Sequence, residues 1–293
     1  MKVGSRAYGI ALVAAASVFW STAGIFVRLL DDLDVWTMLV WRSLFSALFL
    51  LLLVAFHHGR KTLSAFPALG VLGAIAVPIS ALSMVAFVAA MKLTTVANVM
   101  TVYATVPFVA AGIAFLWHGE RFSKSGLVSS LIALLGIVIV VGGALRPQDV
   151  IGNALAFLMT VTFAVVLVMA RRYPALDMAP VNTLASALAA LTCLPLAALT
   201  LPSLHELVTL ALFGLMTTAL AYLLFLTGGR YIPSGEAGLL ALLDVVLGPL
   251  WVWLLFEEAP SRSAMFGGGI VLASVFWYLW RESLEPAERL RSR

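Results

Sequence analysis

No charged side chain interrupts the sequence between Arg6 and Arg28, and a similar interval recurs along the whole chain. Uncharged runs of this kind lie between Lys61 and Lys92, Lys92 and His118, Lys124 and Arg146, and Asp149 and Arg171. More follow between Asp177 and His205, Glu206 and Arg230, and Arg262 and Arg281. Two others are interrupted once each: Asp34 to His57 by Arg42, and Glu236 to Glu257 by Asp244. A helix needs about 20 apolar residues, rising about 1.5 Å each, to cross a hydrocarbon core of roughly 30 Å. Ten runs therefore predict ten spanning helices, numbered here as spans 1 to 10. They are continuously apolar rather than alternating with a period of two, which argues against barrel strands. Composition agrees. With 62% apolar and 11% charged residues, a soluble domain would have too few charges to cover its exterior. One cysteine, Cys193, leaves no disulfide scaffold. The expected fold is an all-α polytopic membrane protein.

Orientation follows from the basic residues, which concentrate on the cytoplasmic side of a membrane. With the N-terminus inside, Lys2, Arg6, Arg60, Lys61, Arg121, Lys124, Arg171, Arg172, Arg230, Arg281, Arg289, Arg291 and Arg293 lie inside. Only Arg28, Lys92, Arg146 and Arg262 lie outside, so both termini are expected in the cytoplasm. The run from Ala7 to Val27 is long for a signal-peptide core and reads as a retained first span. The basic residues stand singly between apolar runs and form no stripe, so no nucleic-acid partner is expected. Trp36, Trp117, Trp253, Trp277 and Trp280 fall near span ends, where an indole meets both hydrocarbon and water.

The chain also repeats itself. At an offset of 138 residues, Ala81 falls on Ala219, Phe87 on Phe225, Glu120 on Glu258, Ser123 on Ser261 and Ser125 on Ser263. Lys92 meets Arg230 and Lys124 meets Arg262. Near the start an offset of 144 pairs Phe19 with Phe163 and Arg28 with Arg172, the difference being absorbed in the His57–Leu63 connection. The expected units are a first five-helix repeat over 1–148, a second over 149–281, and a cytoplasmic tail over 282–293. Five is odd, so the second copy enters the membrane upside down. Inverted repeats around a midplane site are the architecture of many secondary transporters.

Other features carry a resemblance. Trp117-His-Gly-Glu-Arg leads into span 5, followed by Gly126, Gly136 and Gly142-Gly143. The second copy has Phe256-Glu-Glu-Ala-Pro-Ser261 and then Gly267-Gly268-Gly269. Together these resemble the EamA family of the drug/metabolite transporter superfamily, across essentially the whole chain. Leu242-Leu-Asp-Val-Val-Leu-Gly-Pro-Leu-Trp-Val-Trp253 further resembles aromatic amino-acid exporters of the YddG type. The resemblance implies export of small metabolites across a bacterial inner membrane, above all aromatic and other neutral amino acids, by alternating access. One departure stands out: Pro107 precedes Glu120 by thirteen residues, whereas Val245 stands thirteen before Glu258 and Pro249 is displaced.

Polar residues deep in spans avoid lipid and face protein or a wet cavity. On span 3, Ser80, Ser83, Met84 and Phe87 share one helical face. Their counterparts on span 8 put Thr218, Tyr222 and Phe225 on one face, and Asn98, Thr101 and Thr105 form a stripe on span 4. With Trp20, Phe163 and Asp244 these are the expected cavity residues; small hydroxyl residues equally serve close helix packing. Asp244, near mid-span, reads as a proton-coupling carboxylate, a partner for a substrate ammonium, or a structural hydrogen-bonding group. Arg42 lies six residues beyond Trp36 and is expected to snorkel outward to Asp31, Asp32 or Asp34, rather than stay inside and capture a substrate carboxylate. Pro78, Pro107 and Pro249 are expected hinges, with Pro195 a further kink. Spans 3, 4, 8 and 9 are expected to enclose the cavity, with spans 5 and 10 peripheral.

Enzyme signatures are missing. His57, His58, His118 and His205 sit at span ends without metal-ligand spacing, and no nucleophile elbow or phosphate-binding glycine loop occurs. Neither a cofactor nor a metal is expected. The expected partners are a small-molecule substrate, the lipid bilayer and, through Asp244, protons. A rival within transport is a proton-coupled exporter of lipophilic cations. A passive channel or an intramembrane enzyme lies further off.

Overall fold

The computed structural model describes residues 3–118, 124–142, 147–198, 201–229, 231–232 and 234–291. Among them every regular element is helical: α1 (Val3–Ser21), α2 (Ala23–Leu29), α3 (Val35–His58), α4 (Thr62–Ala65), α5 (Gly70–Leu93), α6 (Val96–Tyr103) and α7 (Val106–His118). After these come α8 (Lys124–Gly142), α9 (Pro147–Arg172), α10 (Met178–Cys193), α11 (Leu204–Gly214), α12 (Ala221–Gly229), α13 (Ser234–Phe256) and α14 (Arg262–Arg291). Among the described residues, seven stretches are long and apolar enough to cross a membrane: Arg6–Leu29, Val35–Ala65, Pro67–Leu93, Val96–Trp117, Asp149–Arg172, Met178–Leu196 and Leu204–Gly229. Leu127–Val140 and Leu243–Phe256 are shorter apolar stretches within α8 and α13. Helices suit these sequences because a lipid core offers no partner for an open backbone group. Large apolar side chains such as Leu135, Val138, Met265 and Phe266 remain exposed on the outer faces of α8 and α14, as contact with lipid tails requires. α14 continues as a helix to Arg291, through most of the segment expected as a tail.

Several runs expected as single spans are broken. Pro107 has no N–H and would crowd the Tyr103 carbonyl, so α6 stops at Tyr103 and α7 restarts at Val106. The Thr105 hydroxyl donates to the Val102 carbonyl at 2.7 Å across the break. Thr22 separates α1 from α2, its hydroxyl donating to the Phe19 carbonyl at 2.6 Å. Pro78 and Pro249, by contrast, sit inside the continuous helices α5 and α13. Pro195 lies in a 3₁₀ turn that follows α10, at the end of the Met178–Leu196 stretch. The counterpart of Pro78 at the 138-residue offset is Met216, which lies in a π-helical stretch, Leu215–Leu220, between α11 and α12. Proline and π-turn both remove regular i→i−4 bonds, so the two repeats loosen their third span at the same level by different means.

The helices pack in pairs that a two-fold exchange of the repeats leaves unchanged. α5 packs on α9 as α12 packs on α1; α5 on α10 as α11 on α3; and α6 and α7 on α9 as α13 on α1 and α2. α3 with α10, α6 with α13 and α8 with α14 are counterparts packed on each other. Two of these pairs are visibly antiparallel. His58, ending α3, lies 3.2 Å from Asp177 at the start of α10, while Thr37, near the start of α3, accepts from Ala198 N beyond the end of α10. On α8, a Cβ at Gly136 would lie 2.7 Å from both the Gly267 carbonyl and Val271 Cγ2 of α14; a Cβ at Gly267 would meet the Gly136 carbonyl and Val140. Backbone-to-backbone approach of this kind explains why glycines occupy the crossing.

Candidate functional site

The central packing encloses a cavity of about 340 Å³ between the repeats. The Pro78 level of α5 and the π-turn before α12 supply facing walls. α5 contributes Ser80, Ser83, Met84 and Phe87, at the three- and four-residue steps that keep side chains on one face. Opposite, Thr217 and Thr218 come from the π-turn and Tyr222, Phe225 and Leu226 from α12. Trp20 and Ala23 enter from α1 and α2, and Met159, Phe163, Val166, Leu167 and Ala170 from α9. Arg42 of α3, Tyr103 of α6, Met178 and Asn182 of α10, and Asp244 of α13 complete the lining. α8 and α14 supply none of these lining residues.

Ten sequence-expected residues are thus brought together: Trp20, Ser80, Ser83, Met84, Phe87, Phe163, Thr218, Tyr222, Phe225 and Asp244. Asn98, Thr101 and Thr105 are buried but do not line the cavity. The face of α6 that does is carried by Tyr103, two residues and so about 200° round the helix from Thr101. The Asn98 amide instead donates to the Thr94 hydroxyl at 3.1 Å, and Thr101 donates to the Ala97 carbonyl at 2.8 Å while abutting Gly268 of α14. The enclosure is also wider than the four spans expected, since α1, α2, α3, α9 and α10 all contribute. Sequence reasoning missed Tyr103 and Asn182. Each is the kind of polar group that an apolar run keeps away from lipid, and this was the available signal.

Arg42 requires a correction. It does not snorkel outward to the Asp31–Asp34 connection. It is 6% exposed and lines the cavity, with its guanidinium 4.5 Å above the Phe213 ring. Phe213 is itself stacked on Phe26 at 5.2 Å. Gly214 lets α11 approach α3 closely: a Cβ there would lie 2.9 Å from the Arg42 carbonyl and the Ser46 amide. This contact seats Phe213 beneath the guanidinium and fixes its direction.

The walls are largely aromatic and the polar groups few. Trp20 and Phe225 lie with centroids 5.1 Å apart, and Tyr103 and Phe163 5.8 Å apart. Ser83 donates to the Met159 carbonyl at 3.3 Å, joining α5 to α9. Among the described residues, four buried polar atoms on the lining have no hydrogen-bond partner: Arg42 Nε, Ser80 Oγ, Tyr222 OH and Asp244 Oδ1. Buried polar atoms are normally satisfied, so four orphans on one cavity mark a place for a polar ligand.

The two ends of the cavity differ. Towards the 173–177 connection the lining reaches Ala170 in the last turn of α9, Met178 at the first residue of α10, and Leu226 near the end of α12. The other end is tied shut. Arg28 forms an ion pair with Glu258 and donates to the carbonyls of Met91 at 2.7 Å and Thr94 at 3.2 Å. Glu258 also accepts from Val96 N at 2.9 Å, and Thr94 Oγ1 donates to Asp149 at 3.1 Å. Lys92 donates to the Leu30 and Asp31 carbonyls and to the Asp31 carboxylate. Cations thus sit at the C-terminal ends of α2 and α5, and an anion at the start of α6, as the helix dipoles favour.

An aromatic, sparsely polar cavity between antiparallel repeats of a helical membrane protein defines a small-molecule carrier fold. The EamA-like transporter family matches residues 7–142 and 150–280, and the chain belongs to that family, whose members are transporters and not enzymes. A crystal structure described only as "Crystal structure of protein" shares the fold at a TM-score of 0.64 and 17% identity, covering 96% of this chain and 98% of that one. No curated protein matches the sequence.

Proposed function

We propose that the chain is a ten-span secondary transporter that exports small metabolites, foremost aromatic and other neutral amino acids, across a bacterial inner membrane. Its repeats, 1–148 and 149–281, are inverted, and both termini are cytoplasmic. The observation that carries this reading is the cavity: aromatic walls with four unpartnered polar atoms, reaching towards one membrane face and closed by ion pairs at the other. In the orientation set by the basic residues, the open end is cytoplasmic, and Pro78, Pro107 and Pro249 mark the hinges of exchange. Asp244 favours a second reading, export of lipophilic cations against its carboxylate.

Counterflow in proteoliposomes separates these. Labelled phenylalanine should exchange against unlabelled phenylalanine and not against a quaternary cation. Flux of the cation alone would favour the second reading, and no stimulated flux of either would sink the amino-acid assignment. In the same vesicles Asp244→Asn tests coupling. Loss of proton-driven flux with exchange retained assigns the proton to Asp244; downhill flux that a proton gradient never alters makes the protein a facilitator.

A further inference from the structure

Arg42 is a permanent cation within the membrane, and no carboxylate among the described residues pairs with it. Among the described residues its only hydrogen bond is a long one, from Nη2 to Thr218 Oγ1 at 3.5 Å, and that hydroxyl already accepts from Ser46 at 3.2 Å. Its Nε has no acceptor. One flat face is spent on Phe213, so the donor edge of the guanidinium is what remains for the cavity. Holding such a charge unpaired is costly unless an anion arrives to complete it. A planar fork of N–H donors fits a carboxylate in two-point fashion, which a lysine could not reproduce. Asp244 lies on a different element of the same cavity with one oxygen unpartnered, so the lining offers a site for each sign of charge.

We propose that Arg42 is the carboxylate-binding residue of the cavity, so that the substrate carries a carboxylate beside its apolar body. This rests on the transport reading above and sharpens it: a simple lipophilic cation does not complete Arg42, whereas an amino-acid carboxylate does. The aromatic walls then take the side chain.

The test is ligand-dependent thermal stabilisation of the full-length purified protein with four probes: L-phenylalanine, 3-phenylpropionate, phenethylamine and inorganic phosphate. Phenylalanine and phenylpropionate should stabilise the wild type, and phosphate should not. In Arg42→Gln the affinity for the two carboxylates should fall by about ten- to hundredfold, while that for phenethylamine holds. Arg42→Lys, which keeps the charge and the fold but loses the fork, should fall in between. A positioning or packing role would weaken all ligands alike, and that outcome overturns the assignment. So does a wild type that responds to no carboxylate, or that responds to phosphate equally well. Carboxylate binding without phenylalanine flux would instead refute the export reading and leave Arg42 assigned.

Discussion

At the residue scale, position in sequence and position in space diverge most where a charge is concerned. Asp34 behaves as its neighbours suggest. It caps α3, accepting from Trp36 N at 3.0 Å and Thr37 N at 2.9 Å. Burial pushes its carboxyl up, but hydrogen bonds from Thr37, Trp36 and Ala198 outweigh this and hold its pKa below the ordinary 3.8. A carboxylate with a depressed folded pKa stabilises fully above its unfolded value, and that contribution is lost as pH falls through the lower folded value. Asp34→Ala should therefore cost about 0.5–1 kcal/mol at pH 7, the low range because the group is exposed and screened. The gap should shrink between pH 7 and a pH well below 3.8. Thermal unfolding at the two pH values checks this, and a gap independent of pH would mean that the charge contributes nothing. Arg42 was legible only as an anomaly, a charge within an apolar run. Its direction is set by Phe213 and Gly214, which reach it from α11, and no local pattern around Arg42 encodes that contact.

At the scale of elements, the sequence speaks clearly about which faces avoid lipid and poorly about what they meet instead. The stripe on α5 and its counterpart on α12 were legible because the repeat sets Ser80 against Thr218 and Phe87 against Phe225, and both face the cavity. The stripe on α6 obeyed the same periodicity yet packs against protein, with Thr101 against Gly268. Both environments exclude lipid, so helical spacing alone does not separate them. Helix breaks divide in the same way: Pro107 announces its own, while the π-turn at Leu215–Leu220 is visible only through the proline of its counterpart. The glycines of α8 and α14 give the sharpest test at this scale. Gly136→Ala would force a Cβ to within 2.7 Å of the Gly267 backbone, so α8 and α14 must part. The expected cost is about 1–3 kcal/mol. Gly269→Ala, on the same helix pair, meets nothing within 4 Å. It should be neutral or stabilise by up to about 1 kcal/mol through helix propensity. Melting temperatures of the two variants decide the matter, and equal destabilisation would show that the crossing is not held by backbone contact.

At the scale of the whole molecule, the two-fold exchange of the repeats makes the closure at one end a statement about the other. Arg28 and Glu258 belong to different repeats and join them, and their counterparts by offset are Arg172 and Glu120. Glu120 lies outside the described residues, so the pairing at the second end is an expectation from sequence alone. If the states interconvert by exchanging the conformations of the two repeats, the Arg28–Glu258 pair must open when the cavity turns to the other side. A partly buried, charge-assisted pair contributes about 1–2 kcal/mol to the closed state, about a five- to thirtyfold population ratio. Glu258→Gln removes the charge while keeping a hydrogen-bonding oxygen for Val96 N, so the helix start at α6 should survive. Access can be read from a cysteine placed in the cavity, Thr218→Cys, in a Cys193→Ala background, because Cys193 is the only native thiol. With Glu258 intact, a membrane-impermeant maleimide should label this cysteine from the face bearing the 173–177 connection and hardly at all from the other. In Glu258→Gln, labelling from the Arg28 face should rise by a similar five- to thirtyfold factor. Unchanged labelling in this variant would show that the ion pair decorates a seal made by packing and does not hold it.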